Sequence, residues 1–358
     1  MEKKAVIAMS GGVDSSVAAL LMQRQGYEAI GVTLKLYTNE EIGLCREKTC
    51  CSLDDVNDAR SVAARLGMPF YVLNFKDSFE EQVIGRFVDA YEHGRTPNPC
   101  IDCNRFIKFE KLLRRAEEIG YGTVATGHYA VVEQDGETGR WLLKKGRDRS
   151  KDQSYVLYSL TQEELSHVAL PLGGLTKDEV RKIAEENGFV NARKHDSQDI
   201  CFVPDGDYAA FIERYTGRQF EPGEFVGTHG EVYGTHRGII HYTVGQRKGL
   251  GLSFPQPMFV QRLDVERNQV VLCTHEELFT DSLTARDINL ISRERIDEPL
   301  RVMAKVRYRH KEQPATVVQT GEDELQVKFD EPQRAITKGQ AVVLYDGDTV
   351  VGGGVIVS

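Results

Sequence analysis

Residues 8–22 read AMSGGVDSSVAALLM: two glycines, an aspartate and three serines held between two apolar runs. Ala5-Val6-Ile7-Ala8-Met9 has the length and composition of a buried strand, and Val17-Ala18-Ala19-Leu20-Leu21-Met22 that of a helix. A strand, a tight loop and a helix are therefore expected in that order. Ser10, Gly11, Gly12, Ser15 and Ser16 leave backbone N–H groups unencumbered at the helix mouth, where unpaired donors and the macrodipole attract an anion. Phosphate is the expected guest. The loop lacks the lysine with which a P-loop reaches terminal phosphates, so a different nucleotide chemistry is implied. An ordinary strand-turn-helix junction also uses Gly-Gly and a Ser or Asp cap. The serine cluster, placed directly after the first strand, favours the nucleotide.

The 358-residue chain is long enough for two or three domains, and its 41% hydrophobic and 28% charged residues are ordinary for a soluble globular protein. No apolar run approaches a membrane span, and the apolar stretch near Met1 is too short for a secretory signal. A cytoplasmic protein with no membrane partner is expected. Seven cysteines occur, at 45, 50, 51, 100, 103, 201 and 273; the odd count argues for reduced thiols, ligands or nucleophiles over a disulfide framework. The net charge of −9 does not advertise nucleic-acid binding, whose affinity comes largely from clustered Lys and Arg. Two basic stretches stand out, residues 140–151 and 305–311. Each reads as an RNA-facing patch or as a solvated hairpin or strand edge.

Strand patterns at 31–36, 70–73 and 123–126 alternate with helical patterns at 53–66 and 106–119. That rhythm predicts an α/β fold with a doubly wound parallel sheet, whose ligands collect at the carboxyl ends of the strands. The glycine loop, Leu34 and Gly127-His128 are then expected to share one crevice. After about residue 205 glycines punctuate short antiparallel segments, and from about 281 the runs 301–308, 315–318, 325–329 and 341–345 suggest a small β-barrel. Three domains are expected: 1–205, a small central domain at 206–280, and a C-terminal β-barrel at 281–358.

Asn98-Pro99-Cys100-Ile101-Asp102-Cys103-Asn104 carries a C-x-x-C pair at a helix mouth, which suits a redox pair, half of a metal site or a nucleophile of lowered pKa. No second such pair completes a zinc site nearby, although Cys45, Cys50 and Cys51 could contribute. Cys201 lies in the polar context Asp196-Ser197-Gln198-Asp199-Ile200-Cys201-Phe202; alone, it reads as a core cysteine.

SGGVDSS resembles the pyrophosphatase-loop motif SGGxDS of enzymes that cleave ATP between its α and β phosphates. With Asn98-Pro99 followed by Cys103, Ala125-Thr126-Gly127-His128-Tyr129, Lys151-Asp152-Gln153-Ser154, Ser197-Gln198-Asp199-Ile200-Cys201-Phe202, Thr243-Val244-Gly245-Gln246-Arg247, Arg307-Tyr308 and Gly339-Gln340, the chain resembles the tRNA-uridine 2-sulfurtransferase family over nearly its whole length. The resemblance implies conversion of the wobble uridine of certain tRNAs to 2-thiouridine by a pyrophosphatase-loop domain, a small central domain and a C-terminal barrel. It implies ATP and Mg²⁺ as cofactors, with Ala8, Met9, Ser10, Gly11, Gly12, Val13, Asp14, Ser15 and Ser16 at the nucleotide, Asp14 positioning the metal, and Leu34 and Gly127 at the adenine or ribose. Cys201 becomes the persulfide carrier, and Cys103 the partner that releases the sulfur or resolves the persulfide as a disulfide. Asn98, Pro99 and Cys100 fall near the target base, and His128, Lys151, Asp152, Gln153, Arg307, Tyr308 and Gln340 against the tRNA. A cysteine desulfurase or sulfur-relay protein is the implied second partner. The chemistry agrees: uridine O2 leaves poorly unless adenylated, and thiolates are the soft carriers available for sulfur.

Cys100 stands where many members of the family have an aspartate proposed as general acid or base, and Asp102 is two residues away. The change leaves three thiols, Cys100, Cys103 and Cys201, that could hold a 4Fe–4S cluster with one iron open to hydrosulfide. Two rivals remain. An amide-forming synthetase would share the loop but have no use for Cys103 and Cys201, and a tRNA-binding module that merely senses nucleotide would release no pyrophosphate.

Overall fold

The computed structural model describes residues 3–38, 53–194 and 200–358. Strand β1 (Lys4–Ala8) is followed by helix α1 (Val13–Arg24), β2 (Glu28–Lys35), helix α2 (Leu53–Arg65), β3 (Phe70–Asn74) and β4 (Thr123–Ala125). A hairpin of β5 (Ala130–Gln134) and β6 (Trp141–Lys145) precedes β7 (Val168–Ala169). The order β3-β2-β1-β4-β7 is parallel throughout. Six successive residues of β2, Ala29 to Leu34, are buried, as a strand covered on both faces requires. Chain direction across the sheet reverses at β1, so the crevice outside the ends of β1 and β4 is the switch point where such sheets bind ligands.

The C-x-x-C helix begins earlier than its apolar pattern suggests. It runs over residues 99–118, with Pro99 in the first turn and the Asn98 side chain accepting the Cys100 N–H at 3.2 Å. From Cys103 to Lys111 the coil is widened, so that the Leu112 N–H reaches back five residues to the Ile107 carbonyl. Glu80–Gly85, in the neighbouring helical run, is widened in the same way. Such widened turns occur frequently at functional sites.

Beyond the helix Tyr208–Thr216, strands β8 (Gly223–Gly227), β9 (Val232–His236), β10 (Phe259–Asp264) and β11 (Gln269–Cys273) form a central sheet of order β10-β11-β8-β9. Strands β12 (Phe279–Leu290), β13 (Leu300–Lys305), β14 (Gln313–Gly321), β15 (Glu324–Arg334), β16 (Ala341–Asp346) and β17 (Thr349–Ile356) close into a barrel through β12–β17 pairing. The parallel sheet, central sheet and terminal barrel agree with the expected architecture.

The basic stretch 140–151 lies largely in the β5–β6 hairpin, which extends the barrel sheet through the Lys144–Thr349 pair. Its cations are engaged internally: Lys144 with Glu133, Lys145 with Glu312 at 2.7 Å, Arg147 with Glu179 at 3.2 Å and Arg149 with Asp348 at 2.5 Å. Further ties bind the barrel to the first part of the chain. Asn289 donates to the carbonyls of Tyr158 and Leu160 at 2.7 and 2.8 Å, and the Tyr155 hydroxyl donates to the Ala341 carbonyl at 2.8 Å. Asn289→Ala is expected to cost about 1–3 kcal/mol by stranding two carbonyls, seen as a lower Tm; an unchanged Tm would show that water replaces the amide.

Candidate functional site

The glycine loop is shaped by close approaches on two sides. Gly11 has φ +77°, and a Cβ there would lie 2.3 Å from the Asp55 carbonyl oxygen, so only glycine fits. Opposite, a Cβ on Gly127 would lie 2.7 Å from Asp14 C and Ser15 N. Ala8 ends β1, Met9 and Val13 are buried beneath the loop, and Ser10 is exposed at its rim. The Ser15 and Ser16 hydroxyls both donate to the Gly12 carbonyl at 3.0 Å, and the Ser10 N–H donates to Ser15 Oγ at 3.2 Å.

Residues that sequence reasoning missed complete the loop. Lys177, the first residue of the helix Lys177–Glu186, places Nζ 2.8 Å from each Asp14 carboxylate oxygen. The Tyr129 hydroxyl donates to Asp14 Oδ1 at 2.7 Å. Asn191 Nδ2 donates to the Gly11 carbonyl at 2.8 Å and to Ser16 Oγ at 2.9 Å, and Lys194 Nζ lies 2.6 Å from both Asp55 and Asp58. The legible signal was the capping box Thr176-Lys177-Asp178-Glu179, which fixes a helix start at Lys177. Nothing local said which loop that start would face.

Leu34 is buried near the end of β2, and beyond it the Tyr37 hydroxyl donates to the Cys201 carbonyl at 2.8 Å. Cys201 is half-buried, and Phe202 beside it packs edge-on against Phe79 and Phe87. Cys103 is a buried free thiol in the apolar cluster against which Cys201 also packs. Burial pushes the Cys103 thiol up, with the Lys108 ammonium opposing, so it rests protonated at neutral pH. Cys100 is exposed. Cys45, Cys50, Cys51, Ser197, Gln198 and Asp199 lie outside the described residues. Among the described residues no three His, Cys, Asp or Glu side chains form a group able to hold a metal ion; as folded, Cys100, Cys103 and Cys201 do not fit an iron–sulfur cluster.

His128 is buried, with Nδ1 2.7 Å from Thr126 Oγ1; burial first and Lys108 second hold its pKa well below the usual value, so the ring is neutral. The Phe109 ring of the C-x-x-C helix lies 6.0 Å from the His128 ring, which places that helix beside the turn carrying Gly127. A second line of contacts runs from the same helix to Asp14: Asn104 Nδ2 donates to the Val156 carbonyl at 3.0 Å, and the Val156 N–H donates to the Gln153 carbonyl at 3.1 Å. Tyr308 donates to the Asp152 carbonyl at 3.2 Å, Gln153 Oε1 accepts the Tyr129 N–H at 3.0 Å, and Tyr129 reaches Asp14. The Asp152 carboxylate accepts the Gly146 and Ser154 N–H groups, and Lys151 is half-buried beside it. Asn98 caps its helix, Pro99 is buried, and Gln340 donates to the Thr96 carbonyl at 2.8 Å, docking residues 96–98 on the barrel. Arg307 stands apart, donating to the Val244 and Ala335 carbonyls and the Thr337 hydroxyl. Its neighbours Arg309, His310 and Lys311 line a surface cleft with Arg334 and the exposed ring of Phe279.

Residues 3–205 match the family described as the tRNA methyl transferase HUP domain, 209–274 the tRNA methyl transferase PRC-barrel domain, and 280–356 the Aminomethyltransferase beta-barrel domain. The chain is 54% identical over 356 residues to a Clostridioides difficile (strain 630) protein named tRNA-specific 2-thiouridylase MnmA, covering 99% of this chain and 98% of that one. It is 54% identical over 357 residues to the Acetivibrio thermocellus protein of the same name, covering 99% of each. Among solved structures, a 4-thiouridine synthetase–RNA complex with bound ATP is 20% identical with a TM-score of 0.38, over 60% of this chain and 54% of that one. No helix of the described residues is long and apolar enough to cross a membrane.

Asp102 gives the site a pH signature. Burial pushes its carboxyl up to about 6 against the pull of Arg86 and Arg105. A carboxyl raised in the folded state costs stability once pH exceeds its unfolded value, and the full cost is present above the folded one. Asp102→Asn is therefore expected to raise Tm at pH 7.5, by at most about 3 kcal/mol in stability, and to change little at pH 4. A gain that persists at pH 4 would remove the ionisation as its cause.

Proposed function

This chain belongs to the tRNA-specific 2-thiouridylase family, and from that premise we propose how its own residues form 2-thiouridine at the tRNA wobble position. The loop from Ala8 to Ser16 seats ATP, with its N–H groups and the exposed Ser10 hydroxyl toward the pyrophosphate while Ser15 and Ser16 brace the loop through the Gly12 carbonyl. Asp14 is the carboxylate that would hold Mg²⁺, which supplies charge neutralisation at the phosphates. Gly127 and Leu34 border the adenosine. Uridine O2 attacks the α-phosphorus, pyrophosphate leaves, and C2 becomes open to displacement. The terminal sulfur of a persulfide on Cys201 then attacks C2. The Cys103 thiolate takes the Cys201 sulfur, AMP departs with the former O2, and a Cys103–Cys201 disulfide remains for later reduction.

The observation that carries this reading is the pair of contact lines from the C-x-x-C helix to Asp14, through Phe109 and His128 to Gly127 and through Asn104, Val156, Gln153 and Tyr129. Cys103, buried and protonated at rest, must lose its proton before it takes the Cys201 sulfur, because only the thiolate attacks, whereas Cys201 is the more accessible of the two for loading. The persulfide route is preferred to a cluster because the three thiols as folded present no ligand set. Asn98, Pro99 and Cys100 border the target base, and His128, Lys151, Asp152, Gln153, Arg307, Tyr308 and Gln340 shape the surface behind it. A neutral His128 contributes a ring and a hydrogen bond there, not a charge. The cleft of Arg309, His310, Lys311 and Arg334 supplies the phosphate contacts that the net charge conceals. A cysteine desulfurase or relay protein would load Cys201.

Thiolation of a tRNA transcript with ATP, Mg²⁺ and a persulfide source tests the scheme. Asp14→Ala is expected to abolish tRNA-dependent pyrophosphate release while tRNA still binds; retained release would remove the loop from the chemistry. Cys103→Ser and Cys201→Ser should each release pyrophosphate without forming thiouridine, and full thiolation by either would end its assigned role. Arg309→Ala and Lys311→Ala should each lower the salt slope of tRNA binding by about one.

A further inference from the structure

The sequence of the glycine loop contains no cation, yet the loop is proposed to seat a polyphosphate. The fold brings one from 163 positions away: Lys177 Nζ sits 2.8 Å from both oxygens of Asp14. This lysine is not placed for its own helix. At a helix N-terminus an ammonium opposes the macrodipole, and the capping box of Thr176 and Glu179 already satisfies that end. Nor is it a solvated surface residue, since its side chain is 7% exposed. Taking an ammonium out of water costs several kcal/mol unless a counter-charge meets it. Here Asp14 meets it, and the Tyr129 hydroxyl orients the carboxylate. The ammonium also sits where it faces both oxygens, so a divalent cation that engages Asp14 competes with Lys177 for them.

We infer that Lys177 is the phosphate-binding cation of this site, stored on Asp14 in the nucleotide-free protein and released to the ATP phosphates when the carboxylate engages a divalent cation. The inference rests on the reading of the loop as an ATP site. It assigns the Asp14–Lys177 pair the work that a P-loop lysine does from within its own loop. It differs from a purely structural bridge between α1 and the helix Lys177–Glu186 in one respect: breaking the pair from the aspartate side should strengthen binding of metal-free ATP.

The test is equilibrium binding of ATP and of adenosine, each with Mg²⁺ and with EDTA. The proteins are wild type, Asp14→Asn, Lys177→Met, Lys177→Arg and the Asp14→Asn/Lys177→Met double variant, with folding checked by thermal melts. In EDTA, Asp14→Asn is expected to bind ATP about tenfold more tightly than wild type, the scale of one additional charge-assisted hydrogen bond, and the double variant should lose that advantage. With Mg²⁺, Lys177→Met should weaken ATP by a similar factor, leave adenosine unchanged, and be partly rescued by Lys177→Arg. If Asp14→Asn binds metal-free ATP no more tightly than wild type, or if adenosine and ATP weaken together in Lys177→Met, the inference is overturned. Should Lys177→Met fail to fold, the Asp14→Asn arm decides alone. Wild type that binds no ATP under either condition would instead sink the nucleotide reading itself.

Discussion

Two pieces of main chain press on the glycine loop from opposite sides and leave no room for a side chain. Asp55, at the start of α2, closes on Gly11, and the turn after β4 puts Gly127 against the backbone of Asp14 and Ser15. Because β1 lies at the centre of the parallel sheet and β4 beside it, this clamp sits at the switch point of the chain. The ends of β2, the C-x-x-C helix and the segment reaching Lys194 all arrive at the same place. Shape here comes from steric exclusion, which is rigid, and charge from Asp14, Lys177, Asp55 and Lys194, which can exchange partners.

Much of that is legible in the amino-acid sequence alone. The apolar run into SGGVDSS identifies a strand, a loop and a helix, because buried strands and helix mouths have strong local compositions. The alternation up to β4 gives the parallel sheet for the same reason. What stays hidden depends on long-range pairing. Lys177 looks like any polar residue at a helix start, and only tertiary structure aims it at Asp14. The basic run 140–151 looks like an RNA-binding patch, but Lys144, Lys145, Arg147 and Arg149 meet acidic partners up to 199 positions distant. The widening of the helix after Cys103 has no compositional signature. Its start at Pro99 is masked because the apolar period becomes clear only from Phe106.

Electrostatics sorts the second basic run differently. Lys305 stacks over Tyr155 and Tyr308, and Arg307 turns inward to three oxygen acceptors. The turn that follows the end of β13 at Lys305 thus sends Arg307 into the fold, while Arg309 and Lys311 remain at the surface. An acidic protein can in this way present a localised positive field without altering its overall balance, since screening confines each charge to about a nanometre at physiological salt.

The β5–β6 hairpin bears on how the molecule comes into being. One edge of β6 is met by β17 at Thr349, which lies far along the chain from the hairpin. During vectorial synthesis the amino-terminal lobe therefore emerges with an open strand edge and two cations, Lys145 and Arg149, whose acidic partners at 312 and 348 do not yet exist. Such an edge invites pairing with foreign chains. The hairpin of the nascent lobe stays unpaired on that edge until β17 has been made.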